Sequence, residues 1–275
     1  MTSLPSISLV TCSFQQGEFI GSTIRSVLAQ NYPSLEYLVI DGGSTDRSVA
    51  VIRDFESSLD YWVSEPDGGQ TEALAKGLAL STGELQGWLC SDDLLLPGTL
   101  EKVGQYFASH PEAEWLYGDA VWIDVRGRPI RPKKEMPWNR TLFLFDHNYL
   151  AQPSVFWRRR LFDRVGGLQT SWNLAMDSDL WLRFAAVSRP HHLRQYLACM
   201  RSYPEQKTMS LRSAGRKEDE KLRRREAPML AGLPRLPVRV AARVGRITLK
   251  ALSGGYAASI PDPVMPWLAE LEINR

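Results

Sequence analysis

Cysteine is scarce in this chain, and so are long apolar runs and any strong excess of one charge. Three cysteines stand among 275 residues, Cys12, Cys90 and Cys199. An odd number, far apart and each in an apolar neighbourhood, they exclude a disulfide framework and any metal site of paired-cysteine spacing, and they read as buried free thiols of a reducing compartment. No window approaches the ~20 consecutive apolar residues that a membrane-spanning helix needs. The start, M-T-S-L-P-S-I-S-L-V, has no basic opening, no long apolar stretch and no small-residue cleavage site, so no export signal is expected. The turn after the first apolar run is S-F-Q-Q-G-E-F rather than G-x-G-x-x-G, which argues against NAD or FAD.

The formal charge of +2, from 33 basic and 31 acidic side chains, gives no sign of a nucleic-acid binder. That average conceals a split. Residues 205–256 carry thirteen basic and five acidic side chains, a net +8, whereas residues 1–204 carry nineteen and twenty-three, and residues 257–275 one and three. An acidic body bears a basic tail. With 44% hydrophobic and 23% charged residues the composition is that of a globular protein. The length suits one large domain or one domain with an appendage, because single cores stop growing at roughly 250–300 residues.

Ile7 to Cys12 and Leu35 to Asp41 are short apolar runs rich in β-branched residues and read as buried strands; between them Ile20, Ile24, Val27 and Leu28 fall at helical spacing. The β-α-β unit repeats. Residues 46–56 are helical, 61–63 a short strand, 71–80 a helix, 85–90 a buried strand, 99–108 a helix and 115–117 a strand. Strands alternating with helices imply an α/β fold with a mostly parallel, mixed sheet covered by helices on both faces. In such sheets ligands bind beyond the carboxyl ends of the strands. Here those ends carry Thr11 and Ser13, then Asp41, then Glu65-Pro66-Asp67, then Ser91-Asp92-Asp93, so four strand ends converge on an acidic rim. Such carboxylates hold a divalent metal, accept hydrogen bonds from a base or sugar, or cap helices, and Asp46 and Asp93 sit where caps are needed. Asp41 and Asp92 end apolar strands, where an unsatisfied carboxylate is costly. An oxygen-lined site with few carboxylates suits Mg²⁺ or Mn²⁺ held together with a ligand's phosphates.

Five segments in order carry a resemblance: S-L-V-T-C-S-F near the start, S-V-L-A-Q-N-Y-P-S-L-E-Y-L-V-I-D-G-G-S-T-D, E-P-D-G-G-Q-T-E-A-L-A-K-G, T-G-E-L-Q-G-W-L-C-S-D-D, and M-D-S-D-L-W-L-R from Met176 to Arg183. Over residues 5–210 the chain resembles the family 2 glycosyltransferases of the GT-A fold. The resemblance implies a catalytic domain over 1–210, with a nucleotide-sugar half (1–119) and an acceptor half (120–210), and transfer with inversion from a UDP-, GDP- or dTDP-sugar. It implies Thr11, Ser13, Asp41, Asp67 and Lys76 around the nucleotide. Ser91, Asp92 and Asp93 fall where the family's D-x-D holds Mg²⁺ or Mn²⁺, Asp92 and Asp93 being the metal ligands, with Cys90 replacing the first acid. Asp177 matches the general base, with Met176 where a preceding acid is usual and Asp179 a second acidic candidate; both also suit a helix start. Arg201, Tyr203 and Lys207 match a loop closing over the phosphates, and Gln152-Pro153-Ser154 the acceptor side. Trp172 is either a sugar platform or core.

Residues 211–275 form a basic helical extension. Arg212 to Arg225 is densely charged, and Pro228, Pro234 and Pro237 mark a linker. Val238 to Leu252 places Arg239, Arg243, Arg246 and Lys250 on one helical face and Val240, Val244, Ile247 and Ala251 on an adjacent stripe. Such a helix either lies on an anionic membrane or packs its apolar stripe on the catalytic domain. The expectation is an inverting glycosyltransferase acting on a glycan or lipid-linked acceptor in bacterial surface polysaccharide assembly, cytoplasmic with peripheral contact at the inner membrane face, and without nucleic-acid partners. The alternatives are a non-catalytic nucleotide-sugar-binding scaffold of the same fold and a sugar-phosphate nucleotidyltransferase. The latter lacks its glycine- and arginine-rich phosphate loop here.

Overall fold

The alternation of the first strand decides how the layers form. In β1 (Ile7–Ser13) every residue is buried, and successive side chains enter opposite cores. Val10 and Cys12 join one apolar cluster, and Ile7 and Leu9 the other. A strand buried on both faces needs helices on both sides. The computed structural model describes residues 4–230, 235–260 and Trp267.

The parallel half of the sheet runs β3 (Tyr61–Ser64), β2 (Leu35–Asp41), β1 and β4 (Leu85–Cys90). Register pairs Ser13 with Asp41, Asp41 with Ser64, and Cys12 with Cys90, so these four strands end side by side. On one face α1 (Ile20–Leu28), α2 (Ser48–Asp54) and α4 (Thr99–Ser109) contribute Ile24, Ile52 and Phe107 to the second cluster. On the other, α3 (Gln70–Leu80) contributes Ala73, Leu74 and Leu78.

Beyond β4 the sheet is mixed. A short β5 (Leu94–Leu95) pairs with β9 (His191–Arg201), and β6 (Trp115–Ile123) extends well past the expected end at Tyr117. It lies antiparallel to β7 (Pro129–Lys133) and β8 (Val155–Arg158) and parallel to β9. Between these run α5 (Arg140–Phe145), α6 (Arg159–Arg164) and α7 (Met176–Val187). α7 packs Trp181 against Trp88 and Trp115 in stacked pairs at 5.3 and 5.9 Å. Trp157 and Trp172 are buried in the same core, and Trp138 packs against it.

After a short α8 (Lys207–Ser210), the basic segment forms α9 (Arg212–Glu226) and α10 (Arg235–Leu252). Both dock on the body. Leu222 of α9 is buried in the first cluster, and Arg225 pairs with Asp179 of α7. α10 lies along α5, with Ala242 buried, Gly245 facing Leu142 and Leu249 packed on the core, while Arg246 pairs with Asp146. α10 therefore packs on the catalytic domain, as one alternative had it, but the expected apolar stripe is not the face that docks. Its inner face carries Ala242, Gly245, Arg246 and Leu249, and Val240, Val244 and Ile247 point outward. Pro237 falls in the helix's first turn, where a missing N–H is tolerated; Pro234 lies outside the described residues.

Candidate active site

The turn after β4 is tied down from three sides. Thr23 Oγ1 donates to the carbonyls of Ser91 and Asp93, both at 2.8 Å, and Asp93 N–H closes onto Cys90 O at 3.0 Å. From β9, Arg201 N–H donates to Asp93 Oδ1 (2.9 Å) and its Nε to Asp92 O (2.9 Å). The guanidinium also reaches the carbonyls of Asp124 and Val125 and lies 4.7 Å above the Phe19 ring. Ser91 is buried within the turn. Cys90 Sγ and the carboxylates of Asp92 and Asp93 thereby come within 4.8 Å of one another.

Burial pushes both carboxyls up, Asp93 well above the usual range with the neighbouring Asp92 charge adding to it. Tyr203 Oη donates to Asp92 Oδ2 at 2.9 Å and Arg201 offsets part of the cost. Two buried carboxylates and a sulfur, clustered and poorly compensated, fit a divalent cation. Carboxylates suit Mg²⁺ or Mn²⁺, and a sulfur in the set favours a softer ion than Mg²⁺.

On the nucleotide side the sequence expectations divide. Ser13 Oγ, at the end of β1, is buried without a hydrogen-bond partner among the described residues. Asp67 is exposed in the loop before α3, its Oδ1 accepting from Gly69 N–H at 2.7 Å. Gly69, at φ 112° in a region L side chains avoid, lets that loop fold over the start of α3. The first N–H groups of α3 suit an anion. Thr11, by contrast, is fully buried and shares a hydrogen bond with Tyr37 Oη (2.9 Å), so its side chain does not line a pocket. Asp41 needs no ligand to be satisfied. Its Oδ2 accepts from Gly43 N–H, Ser44 N–H and Ser64 Oγ, and its Oδ1 from Ser44 Oγ. It shapes the loop after β2. Lys76 is engaged by Glu65 at the edge of the site.

Gln70 links the two halves. Its Nε2 donates to Cys90 Sγ at 3.2 Å, and its Oε1 accepts from Lys207 Nζ at 3.2 Å. Lys207 also reaches Asn173 O and Oδ1 at 2.9 and 2.8 Å, and burial lowers its pKa. Next to Gln70, Thr71 Oγ1 contacts Trp172 O at 2.6 Å and Met176 Sδ at 2.9 Å, so the start of α3 abuts the start of α7.

Asp177, in the first turn of α7, is held by Asn148 Nδ2 (2.8 Å, to Oδ2) and by Ser178 N–H (2.6 Å, to Oδ1). Burial first, and the Asp219 charge after it, push its pKa up to about 6. A carboxylate of that pKa serves as a base near neutrality. Asp179 behaves differently. Two residues further round the helix it is fully buried, with Arg183 on Oδ2 (2.8 and 2.6 Å) and Arg225 on Oδ1 (2.5 Å). It fastens α9 to α7, and its expected catalytic role is corrected. Arg201, equally buried, is a scaffold for the Asp92-Asp93 turn rather than part of a lid. Tyr203, through Asp92, and Lys207, through Gln70, remain at the rim. Trp172 is core, covered by Lys221 and Arg225 over its ring.

A cavity of about 170 Å³ is lined by Asn148 and Ser178, the two residues that hold Asp177, with Phe143, Leu182 and Leu222 among its apolar walls and Asp219 and Arg239 among its other polar ones. Gln152 borders the rim: its Oε1 accepts from Cys90 Sγ at 3.6 Å and its Nε2 donates to Trp88 O at 2.9 Å. Asn148, Gln70 and Asp219 escape sequence reasoning. No motif marks Asn148, and Asp219 lies in what reads as a solvated charge run.

The model of the family described as "Glycosyl transferase family 2" matches residues 8–166. An uncharacterised glycosyltransferase of Mycobacterium tuberculosis is 31% identical over 196 residues, 70% of this chain and 74% of the relative. The O-antigen biosynthesis protein RfbC of Myxococcus xanthus is 31% identical over 199 residues, 70% of this chain but only 16% of that protein. Among solved structures, residues 1–349 of S. aureus TarS in complex with UDP-GlcNAc superpose with TM-score 0.64 at 19% identity, covering 85% of this chain and 69% of that one. A longer TarS chain is covered to 41%. The mannosyltransferase PcManGT of Pyrobaculum calidifontis, in complex with GDP-Man and Mn²⁺, gives TM-score 0.61 at 18% identity, covering 99% and 86%. At these identities the likeness is one of fold, and that fold is GT-A.

Proposed function

The chain belongs to glycosyl transferase family 2 and is a glycosyltransferase, and from that premise we propose that it moves a sugar, with inversion, from a nucleotide-diphosphate-sugar to a hydroxyl of a cell-surface glycan or glycolipid. The observation that carries this reading is Asp177, a carboxyl raised to about 6 at the start of α7, whose neighbour Met176 meets Thr71 beside Gln70, the residue that contacts Cys90 of the Cys90, Asp92 and Asp93 rim. Direct displacement needs one base on the acceptor hydroxyl and neutralisation of the departing diphosphate. Asp177 takes the acceptor's proton, and Asn148 orients it.

Asp92 and Asp93, with Cys90 alongside, would hold a divalent ion, and that ion would supply counter-charge for the departing diphosphate. Mn²⁺ in PcManGT supports the metal, and the UDP-GlcNAc and GDP-Man of the two solved structures support the donor class. Ser13, Asp67 and the first N–H groups of α3 receive the nucleotide, and Lys207 sits close enough to Cys90 and Asp67 to meet its phosphates. RfbC, named for O-antigen biosynthesis, supports a surface-polysaccharide acceptor.

Residues 1–210 then act as the sugar-transfer unit, with α9 and α10 as an addition to its acceptor side. Three free thiols favour the cytoplasm. No helix among the described residues is long and apolar enough to cross a membrane. The test is to incubate the protein with Mn²⁺ and a panel of UDP-, GDP- and dTDP-sugars, follow sugar release with and without glycan acceptors, and read the product anomer by NMR. Turnover of none of them, or retention at the anomeric carbon, overturns the proposal.

A further inference from the structure

α10 faces the wrong way for a helix of a soluble monomer. Leu236, Val240, Val244 and Ile247 recur at spacings of four, four and three residues, which puts them on one stripe. They are 75, 52, 57 and 43% exposed. Leu236 to Ile247 spans about 16 Å of helix at 1.5 Å per residue. Single exposed apolar residues are ordinary, but a continuous stripe marks an interaction surface. The opposite face is spoken for: Ala242, Gly245 and Leu249 pack inward, Arg246 pairs with Asp146, and Lys250 lies near Glu135. The stripe cannot be buried on the body without breaking those contacts.

The charges select the partner. α10 carries five cations and no acid, and Arg239 and Arg243, both exposed, edge the stripe on one side. α9 beside it exposes Arg212, Arg216, Lys217 and Arg224. A second copy of the same surface would bring arginine against arginine. A surface that offers hydrocarbon beneath a layer of anionic groups satisfies both features. We infer that α10 lies in the interface of an anionic phospholipid membrane, its valine and isoleucine stripe below the headgroups and Arg239 and Arg243 at phosphate level.

The consequence for the site follows from Arg239, which lines the same cavity as Asn148. A docked α10 would hold that cavity, and with it Asn148, close to the bilayer surface that carries a lipid-borne acceptor. This last point rests on the transferase reading; the membrane contact itself does not.

The experiment uses the full chain and vesicles of phosphatidylcholine, either alone or mixed equally with phosphatidylglycerol, and measures co-sedimentation. Binding should be at least tenfold stronger to the anionic vesicles and should fall in about 0.5 M salt, where screening is short-ranged. The triple variant Val240→Ser, Val244→Ser, Ile247→Ser changes only exposed side chains. It should keep its thermal transition and lose binding at least tenfold, and Arg239→Gln with Arg243→Gln should abolish the preference for anionic lipid. The inference is overturned if the wild type ignores both vesicles, if the triple variant binds like the wild type, or if light scattering shows a dimer that the triple variant dissociates. Nucleotide binding by the same preparations reports on the transferase reading separately.

Discussion

Asn148 Nδ2 donates to Asp177 Oδ2 at 2.8 Å, joining a loop after α5 to the first turn of α7 across 29 residues of sequence. A hydrogen bond to the charged form favours ionisation, and burial opposes it. The pair sets where the candidate base switches on. With Asp177 raised to about 6, transfer should increase with pH through that value, because only the carboxylate accepts a proton. Asn148→Ala removes the stabilising donor, so the rising limb should move to higher pH while donor affinity stays unchanged. A limb that does not move shows that another group governs the profile.

The same shift makes a stability prediction of definite sign. Asp177 is raised in the folded state, so between the unfolded value near 4 and about 6 the native protein holds the extra proton. Its contribution is full below the unfolded pKa and is lost as pH rises through the folded one. Asp177→Asn, which cannot ionise, should therefore melt higher than the wild type near neutrality, by on the order of 1–3 kcal/mol. Transfer should fall by about 10²–10⁴-fold in the same protein. Thermal unfolding at about pH 5 and about pH 7.5, alongside turnover, checks both halves.

Asp179 should be a stability residue. Removing it strands the largely buried Arg183 and unfastens the exposed Arg225, which keeps Glu226, and breaking a buried pair such as Asp179–Arg183 typically costs about 3–5 kcal/mol. Asp179→Ala should lower the melting temperature strongly, and the fraction that remains folded should keep an unshifted pH profile. Loss of turnover at full stability would return Asp179 to the chemistry.

Cys90 offers a test of the metal preference. Cys90→Asp replaces sulfur with a hard oxygen donor in the set with Asp92 and Asp93, so Mg²⁺ should gain on Mn²⁺ in supporting nucleotide binding. Paired titrations with each ion check the ratio. Because burial raises both acids, added Mn²⁺ should also stabilise the wild type more at about pH 7.5 than at about pH 5, where protons compete.

The strands and the rim were legible because they depend on local pattern. A β-branched run ending in a polar residue reads as a strand, and parallel register then brings Ser13, Asp41 and Cys90 together without further information. What each rim residue does was less legible, because it depends on partners distant in sequence. Thr11 and Asp41 sit at strand ends as expected, yet Tyr37 and Ser64 consume their hydrogen bonds. Asp177 and Asp179 look alike in M-D-S-D, but about 200° of helical rotation sends one to Asn148 and the other to Arg225, a residue 46 positions on. The tail was the hardest. Its helical period was readable, but which face docks was decided by Gly245 meeting Leu142 and Arg246 meeting Asp146.

A transferase rim of this kind must accept a nucleotide diphosphate together with a divalent ion. Calorimetric titration of the wild type and Asp92→Asn with UDP and with GDP, each with and without Mn²⁺, measures this directly. Binding of at least one nucleotide that requires Mn²⁺ and is lost in Asp92→Asn is the predicted result. No binding of either nucleotide to the wild type in Mn²⁺, or binding indifferent to both the ion and Asp92, would contradict it.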